Sequence, residues 1–183
     1  MLICLPCAFQ IAWSLEAVGG HLDAFTGRES TCYYARALDE HLDLALDVLA
    51  DLALRPRLDP SDVVKEKQVI LEEIHNSEDT PDDRIHDLFA DVVWKGHPLG
   101  HRILGSKESV SDFATETVAE YHGRHYVAPN LLLSIAGNFD WDRFVSEATA
   151  RFGDAATGVP TPTPPSASGG RAVVHHVEEL QQQ

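Results

Sequence analysis

Basic residues are scarce in this chain: 14 Lys and Arg stand against 29 Asp and Glu, for a net charge of −15. A surface without a basic footprint displaces few counterions from nucleic acid and is repelled by anionic lipid, so neither is an expected partner. Long apolar runs are missing as well. No stretch approaches the roughly 18 apolar residues that a membrane span requires. Cysteine is rare: Cys4, Cys7 and Cys32 are too few, and odd in number, for a disulfide framework. Cys4 and Cys7 form a CxxC, but no strand can precede Cys4, and the redox motif needs one. The opening MLICLPCAF has no basic stretch and no small-residue cleavage site after it, which argues against a cleaved signal peptide. The default location is therefore the cytoplasm.

What is present is enough for a core. Of 183 residues, 44% are hydrophobic, and the length suits one domain, with or without a tail. Residues 8–18 have apolar positions at helical spacing, ended by Gly19-Gly20. Residues 21–26 and 30–38 read as two antiparallel strands joined at Gly27-Arg28-Glu29. Residues 39–54 form an amphipathic pattern. Asp59, Pro60 and Asp62 start another helix in capping-box fashion, running to about Ser77. Helical patterns recur through 84–94, in a short and a longer helix near 109–126, and over 140–153. Residues 95–105 read as a loop, and Asn130–Asn138 as a buried strand. This order predicts an α+β fold, a mainly antiparallel sheet with helices packed on one face. The expected organisation is a domain over 1–153, a Pro/Ser/Gly-rich linker over 154–170, and the start of another unit over 171–183.

One helical stretch raises a chemical question. In VVKEKQVILEEIH (63–75), Glu66 and Glu73 are seven residues apart. At 100° per residue they differ by only about 20° and share a face, with Ile70 to one side and Val69 to the other. Carboxylates set among apolar neighbours need a cation, hydrogen-bond donors or a metal. Spacing alone favours surface pairing with Lys or Arg. Elsewhere the signals are weaker. His97 and His101 straddle a proline and a glycine. His122 and His125, at i and i+3, read as solvated surface, and His175 and His176 would point to opposite faces of a strand.

GGHLDAFTGREST, a helix with ALDVLADL, EKQVILEEI, HPLGHRILGS and YVAPNLLLSIAGNFD follow one another in this chain. In that order and at those spacings they resemble the insulinase/pitrilysin family of zinc metallopeptidases. The best fit is to processing-type members similar to the mitochondrial processing peptidase β subunit and its bacterial relatives. The resemblance covers roughly residues 8–153. It implies peptide-bond hydrolysis by zinc-activated water on extended peptides. In the family, zinc is held by two histidines of a helical HxxEH motif and by a downstream glutamate, and the motif's own glutamate is the general base. Matched residue by residue, the downstream zinc ligand falls on Glu73. Glu66 matches a second glutamate that supports catalysis near the metal. HLDAFT resembles the edge strand to which substrate adds, giving Asp23, Ala24 and Phe25 as substrate-binding residues. The family usually has Asn-Ala where this chain has Asp23-Ala24, which puts the role of Asp23 in question.

No HxxEH or HExxH occurs in residues 1–183. In the family the histidine pair lies further upstream of the ligand glutamate than this chain extends. The chain is therefore expected to be a fragment of such a peptidase, inactive alone and without tightly bound zinc. Zinc is expected in the complete protein. The alternative is a non-catalytic subunit that pairs with an active peptidase. Either way the implied partners are an extended peptide and a second peptidase-type domain or subunit, and apolar surface is expected to stand exposed on the sheet or on helix 60–77.

Overall fold

In the computed structural model of the chain, residues 8–161 are described. Helix α1 (Ala8–Glu16) leads into the strands β1 (His21–Thr26) and β2 (Thr31–Arg36), which form a two-stranded sheet. A short 3-10 turn at Asp39–His41 then opens α2 (Leu42–Leu54). Helices α3 (Pro60–Asp79), α4 (Pro81–Val93), α5 (Lys107–Asp112), α6 (Thr115–His125) and α7 (Trp141–Phe152) follow. The fold is α+β, as the pattern of elements predicts, with α2 packed against β2.

The chain divides into two compact units. One holds the described residues up to Phe25, together with Thr31–Arg57 and Ala119–Thr161. Its core is built from Leu15, Leu46, Val48, Ala50, Ala53, Val127 and Phe144, all buried. Gly19-Gly20 closes the turn after α1, because Gly19 has a φ of +75°, which L side chains resist. A Cβ on Gly20 would meet the carbonyl oxygens of Arg36 and Leu15 at 3.0 Å. Arg143 and Arg151 of α7 pair with Asp43 and Asp47 of α2, at 2.6 and 3.4 Å.

The second unit holds Thr26–Ser30, which is the turn of the hairpin, and Leu58–Val118. Ile74, Ala90 and Val110 are its buried apolar residues. Asp59 caps α3, accepting from the Ser61 amide at 2.8 Å, with Pro60 at the first helical position. The turn is anchored by Arg28. Its guanidinium donates to the Leu99 and His101 carbonyls and pairs with Asp87 at 3.0 Å. The 95–105 loop is thus held by a residue that reads in sequence as a turn position.

Two expectations need correction. Asn130–Asn138 is not a laddered strand among the described residues: Ala128–Asn130 is a 3-10 turn, and residues 131–136 are irregular. The period-two pattern is nevertheless there. Leu131, Leu133 and Ile135 are half-buried, while Ser134 and Ala136 are exposed and Leu132 is 94% exposed. An extended segment becomes a strand only when a neighbour takes up its amides. His122 also differs from its reading as solvated surface. It is half-buried, its ring lies on Tyr126, and its Nε2 is 2.9 Å from the Ala53 carbonyl at the end of α2.

The part of the expected linker that is described lacks regular structure but is held down. The Ala128 amide donates to Ala156, and Thr161 and Asn130 exchange hydrogen bonds of 2.9 and 3.0 Å. Residues 162–183, including the expected unit at 171–183, and residues 1–7 with the CxxC lie outside the described residues.

Candidate functional site

Glu66 and Glu73 lie on one uninterrupted helix, α3, whose 20 residues are kept regular by the Asp59 cap and by the absence of internal glycine or proline. Two turns rise by about 10 Å, so the carboxylates stand one above the other. Both are exposed. The buried face, marked by Ile74, is about 80–100° away around the helix. Ile70 is half-buried beside the glutamates and Val69, on their other flank, is 50% exposed.

The basic residues nearest in sequence are committed elsewhere. Lys65 pairs with Asp62 at 3.1 Å. Lys67 donates to the carbonyls of Ser111 and Phe113, at 2.6 and 2.8 Å. Those carbonyls close the C-terminal end of α5, where a cation also meets the helix dipole favourably. At the other end of α5, Lys107 donates to Glu78 at 2.6 Å, and Glu78 also accepts from Arg102 at 3.3 Å. The Lys107 ammonium holds the Glu78 carboxyl below its ordinary value. Lys67 and Glu78 thus tie α5 along α3 at both ends and fix the helix that presents Glu66 and Glu73. Among the described residues, neither of those two glutamates has a hydrogen-bond or ion-pair partner.

Such a carboxylate suits a metal donor. One donor is not a site, however, and zinc takes three or four protein ligands. No group of three His, Cys, Asp or Glu among the described residues is placed to hold a metal ion. These residues do not make a zinc centre by themselves.

The second predicted set lies in the other unit. Asp23, Ala24 and Phe25 are consecutive in β1, all exposed. The Asp23 carboxylate accepts from the Tyr34 hydroxyl across the hairpin at 2.7 Å and from the Ala24 amide at 2.8 Å. Those donors, Tyr34 first, hold its carboxyl below the ordinary value, and the same bond raises Tyr34. Phe25 and His21 contact the Tyr34 ring from either side, at centroid distances of 6.5 and 6.4 Å. Tyr34 is the neighbour of Asp23 that the sequence reading missed. The hairpin register gives it: with Gly27 bonded to Ser30 at 2.8 Å, Asp23 lies opposite Tyr34.

Comparison with known proteins decides the family. Residues 6–107 match Insulinase (Peptidase family M16). The chain belongs to the M16 family. An uncharacterized zinc protease of Rickettsia felis is 44% identical over 151 residues, which are 82% of this chain and 37% of that protein. One from Bacillus subtilis is 40% identical over 160 residues, 85% of this chain and 39% of that protein. The M16 chain thus spans about two fifths of the length of these relatives. The crystal structure of a putative M16-like peptidase from Alicyclobacillus acidocaldarius superposes with a TM-score of 0.76 at 26% identity, covering 87% of this chain and 38% of that one. A peptidase M16 inactive domain from Pseudomonas fluorescens, at 14% identity, shares the fold with a TM-score of 0.81 over 91% of this chain and 41% of its own. M16 membership accounts for the order of the sequence blocks and for the α+β fold. No helix among the described residues is long and apolar enough to cross a membrane.

Proposed function

We propose that this chain is part of a zinc-dependent metalloendopeptidase, with Glu73 as one oxygen donor to the metal and Glu66 as a supporting carboxylate. The observation that carries this reading is the pair of exposed glutamates on one face of α3, without a partner among the described residues and within the M16-matched residues. Zinc, when bound, supplies a polarised water for attack on a peptide carbonyl. This chain's own contributions are narrower. Helix α3 presents the Glu73 oxygens from a rigid, α5-braced support. Glu66 places a second negative charge two turns away. Strand β1, with Asp23, Ala24 and Phe25, offers an edge on which an extended peptide adds by backbone hydrogen bonds. The remaining metal donors come from outside the described residues, because no HxxEH occurs in 1–183. The chain alone accordingly neither holds zinc tightly nor hydrolyses peptides.

That same missing motif favours a second reading, a non-catalytic family member that pairs with an active one. A chimera separates the two. The segment of the Bacillus subtilis relative that precedes the matched region is joined to residue 1 of this chain, and cleavage of an unstructured peptide is measured. The enzyme reading expects cleavage that chelator abolishes and Glu73→Gln removes, with none from the unjoined chain. A folded, zinc-loaded chimera without cleavage supports the non-catalytic reading. Stoichiometric zinc on the unjoined chain contradicts its proposed incompleteness.

A further inference from the structure

The Asp23–Ala24 bond bears on how β1 receives a peptide, and the inference rests on the edge-strand reading above. In an antiparallel pair, successive residues turn their backbone groups alternately toward and away from the partner strand. Gly27 donates to Ser30, so Gly27, Phe25, Asp23 and His21 face β2, and Thr26, Ala24 and Leu22 face the opposite edge. The Ala24 amide is therefore an outward donor, the kind an added strand would use. It is already taken. Asp23 Oδ1 accepts from it at 2.8 Å, while Oδ2 is held at 2.7 Å by the Tyr34 hydroxyl. Tyr34 fixes the carboxylate so that its other oxygen covers the edge. The face is exposed and carries one anionic group between two aromatic contacts.

We propose that Asp23 is a specificity-determining residue: its carboxylate covers the Ala24 amide, and an extended peptide that pairs with β1 displaces it and is favoured when it offers a cationic side chain to the released oxygen. The chemistry is a simple exchange. The Ala24 N–H passes from Asp23 Oδ1 to a peptide carbonyl, and Oδ1 regains a donor from Arg or Lys of the peptide. Side chains of adjacent strands lie within reach of that contact. A peptide with a neutral residue there leaves Oδ1 to water, and one with an acidic residue adds repulsion.

Two measurements on the full 183-residue chain test this. The first uses no ligand. Amide exchange by NMR, corrected for local sequence, is expected to show Ala24 protected about tenfold over the outward amides of Leu22 and Thr26. That protection is lost in Asp23→Ala and kept in Asp23→Asn, whose carbonyl still accepts. Equal exchange of all three amides in the unaltered chain overturns the covering role. The second titrates fluorescent capped peptides, Val-Thr-X-Val-Thr, with X as Arg, norleucine or Glu. The chain is expected to bind the Arg peptide roughly threefold more tightly than the norleucine peptide, a preference that Asp23→Asn abolishes. Asp23→Ala removes the preference and tightens the norleucine peptide. An unchanged Arg-to-norleucine ratio in Asp23→Asn overturns the selection. Failure of every peptide to bind any variant sinks the edge-strand reading itself, and the exchange experiment still decides whether Asp23 covers Ala24.

Discussion

Asp23 of β1 and the Glu66–Glu73 pair of α3 are treated in opposite ways. Asp23 has both oxygens engaged, by a tyrosine across the hairpin and by the next residue's amide. Glu66 and Glu73 stand exposed with no partner among the described residues, although α3 carries Lys65 and Lys67. Satisfied carboxylates organise local structure, whereas unsatisfied ones on a braced helix remain available to a ligand. The bracing distinguishes α3 from an ordinary acidic surface helix. Lys67 is spent on α5 and Lys65 on Asp62, which leaves the Glu66–Glu73 face uncompensated among the described residues.

The contrast can be broken at its support first. Ile74→Ala removes the buried anchor of α3 and is expected to cost about 3 kcal/mol, seen as a lowered denaturant midpoint. Glu73→Gln should do the reverse. Stability stays within about 0.5 kcal/mol, since the side chain is exposed, while activity of the zinc-competent chimera falls at least about a hundredfold. Lys67→Ala, which uncaps α5, is expected to cost about 1 kcal/mol and to speed amide exchange in α5, with partial rescue by arginine.

The smallest effect is a pH dependence. Asp23 and Glu78 have folded-state values lowered from 3.8 and 4.5 by the donors that hold them. A lowered carboxylate binds fewer protons folded than unfolded. Its stabilisation is present above the unfolded value and is lost as pH falls through the folded one. Carboxyl titration by NMR should show both midpoints below those ordinary values. Tyr34→Phe should move the Asp23 midpoint back up and leave Glu78 where it is.

Much of this was legible in the sequence, and the misses have physical reasons. Asp59-Pro60 marks the start of α3 because a cap and a fixed φ act locally, and the i, i+7 spacing places Glu66 and Glu73 on one face without tertiary information. The hairpin and the Gly19 stop are equally local. Residues 131–136 carry a strand's alternation, but a ladder depends on a neighbouring strand, which no local pattern reports. His122 depends on where the last carbonyls of α2 fall, a contact between residues 69 apart. The covering of Ala24 required the hairpin register, which the Gly27–Ser30 bond fixes; strands at 21–26 and 30–38 with a three-residue joint would set Asp23 opposite Tyr33, one residue off. The family blocks carried the assignment to M16, but Glu73's coordination partners cannot be read from a chain that contains no HxxEH.

A metal-bound Glu73 carboxylate is the central expectation for α3. X-ray absorption at the zinc edge, on the chimera and on its Glu73→Gln and Glu66→Gln variants, tests this most directly. The prediction is one zinc per chain with an oxygen donor at about 2.0–2.2 Å, lost or weakened in Glu73→Gln and retained in Glu66→Gln. Zinc bound with unchanged stoichiometry and unchanged donors in Glu73→Gln would contradict it.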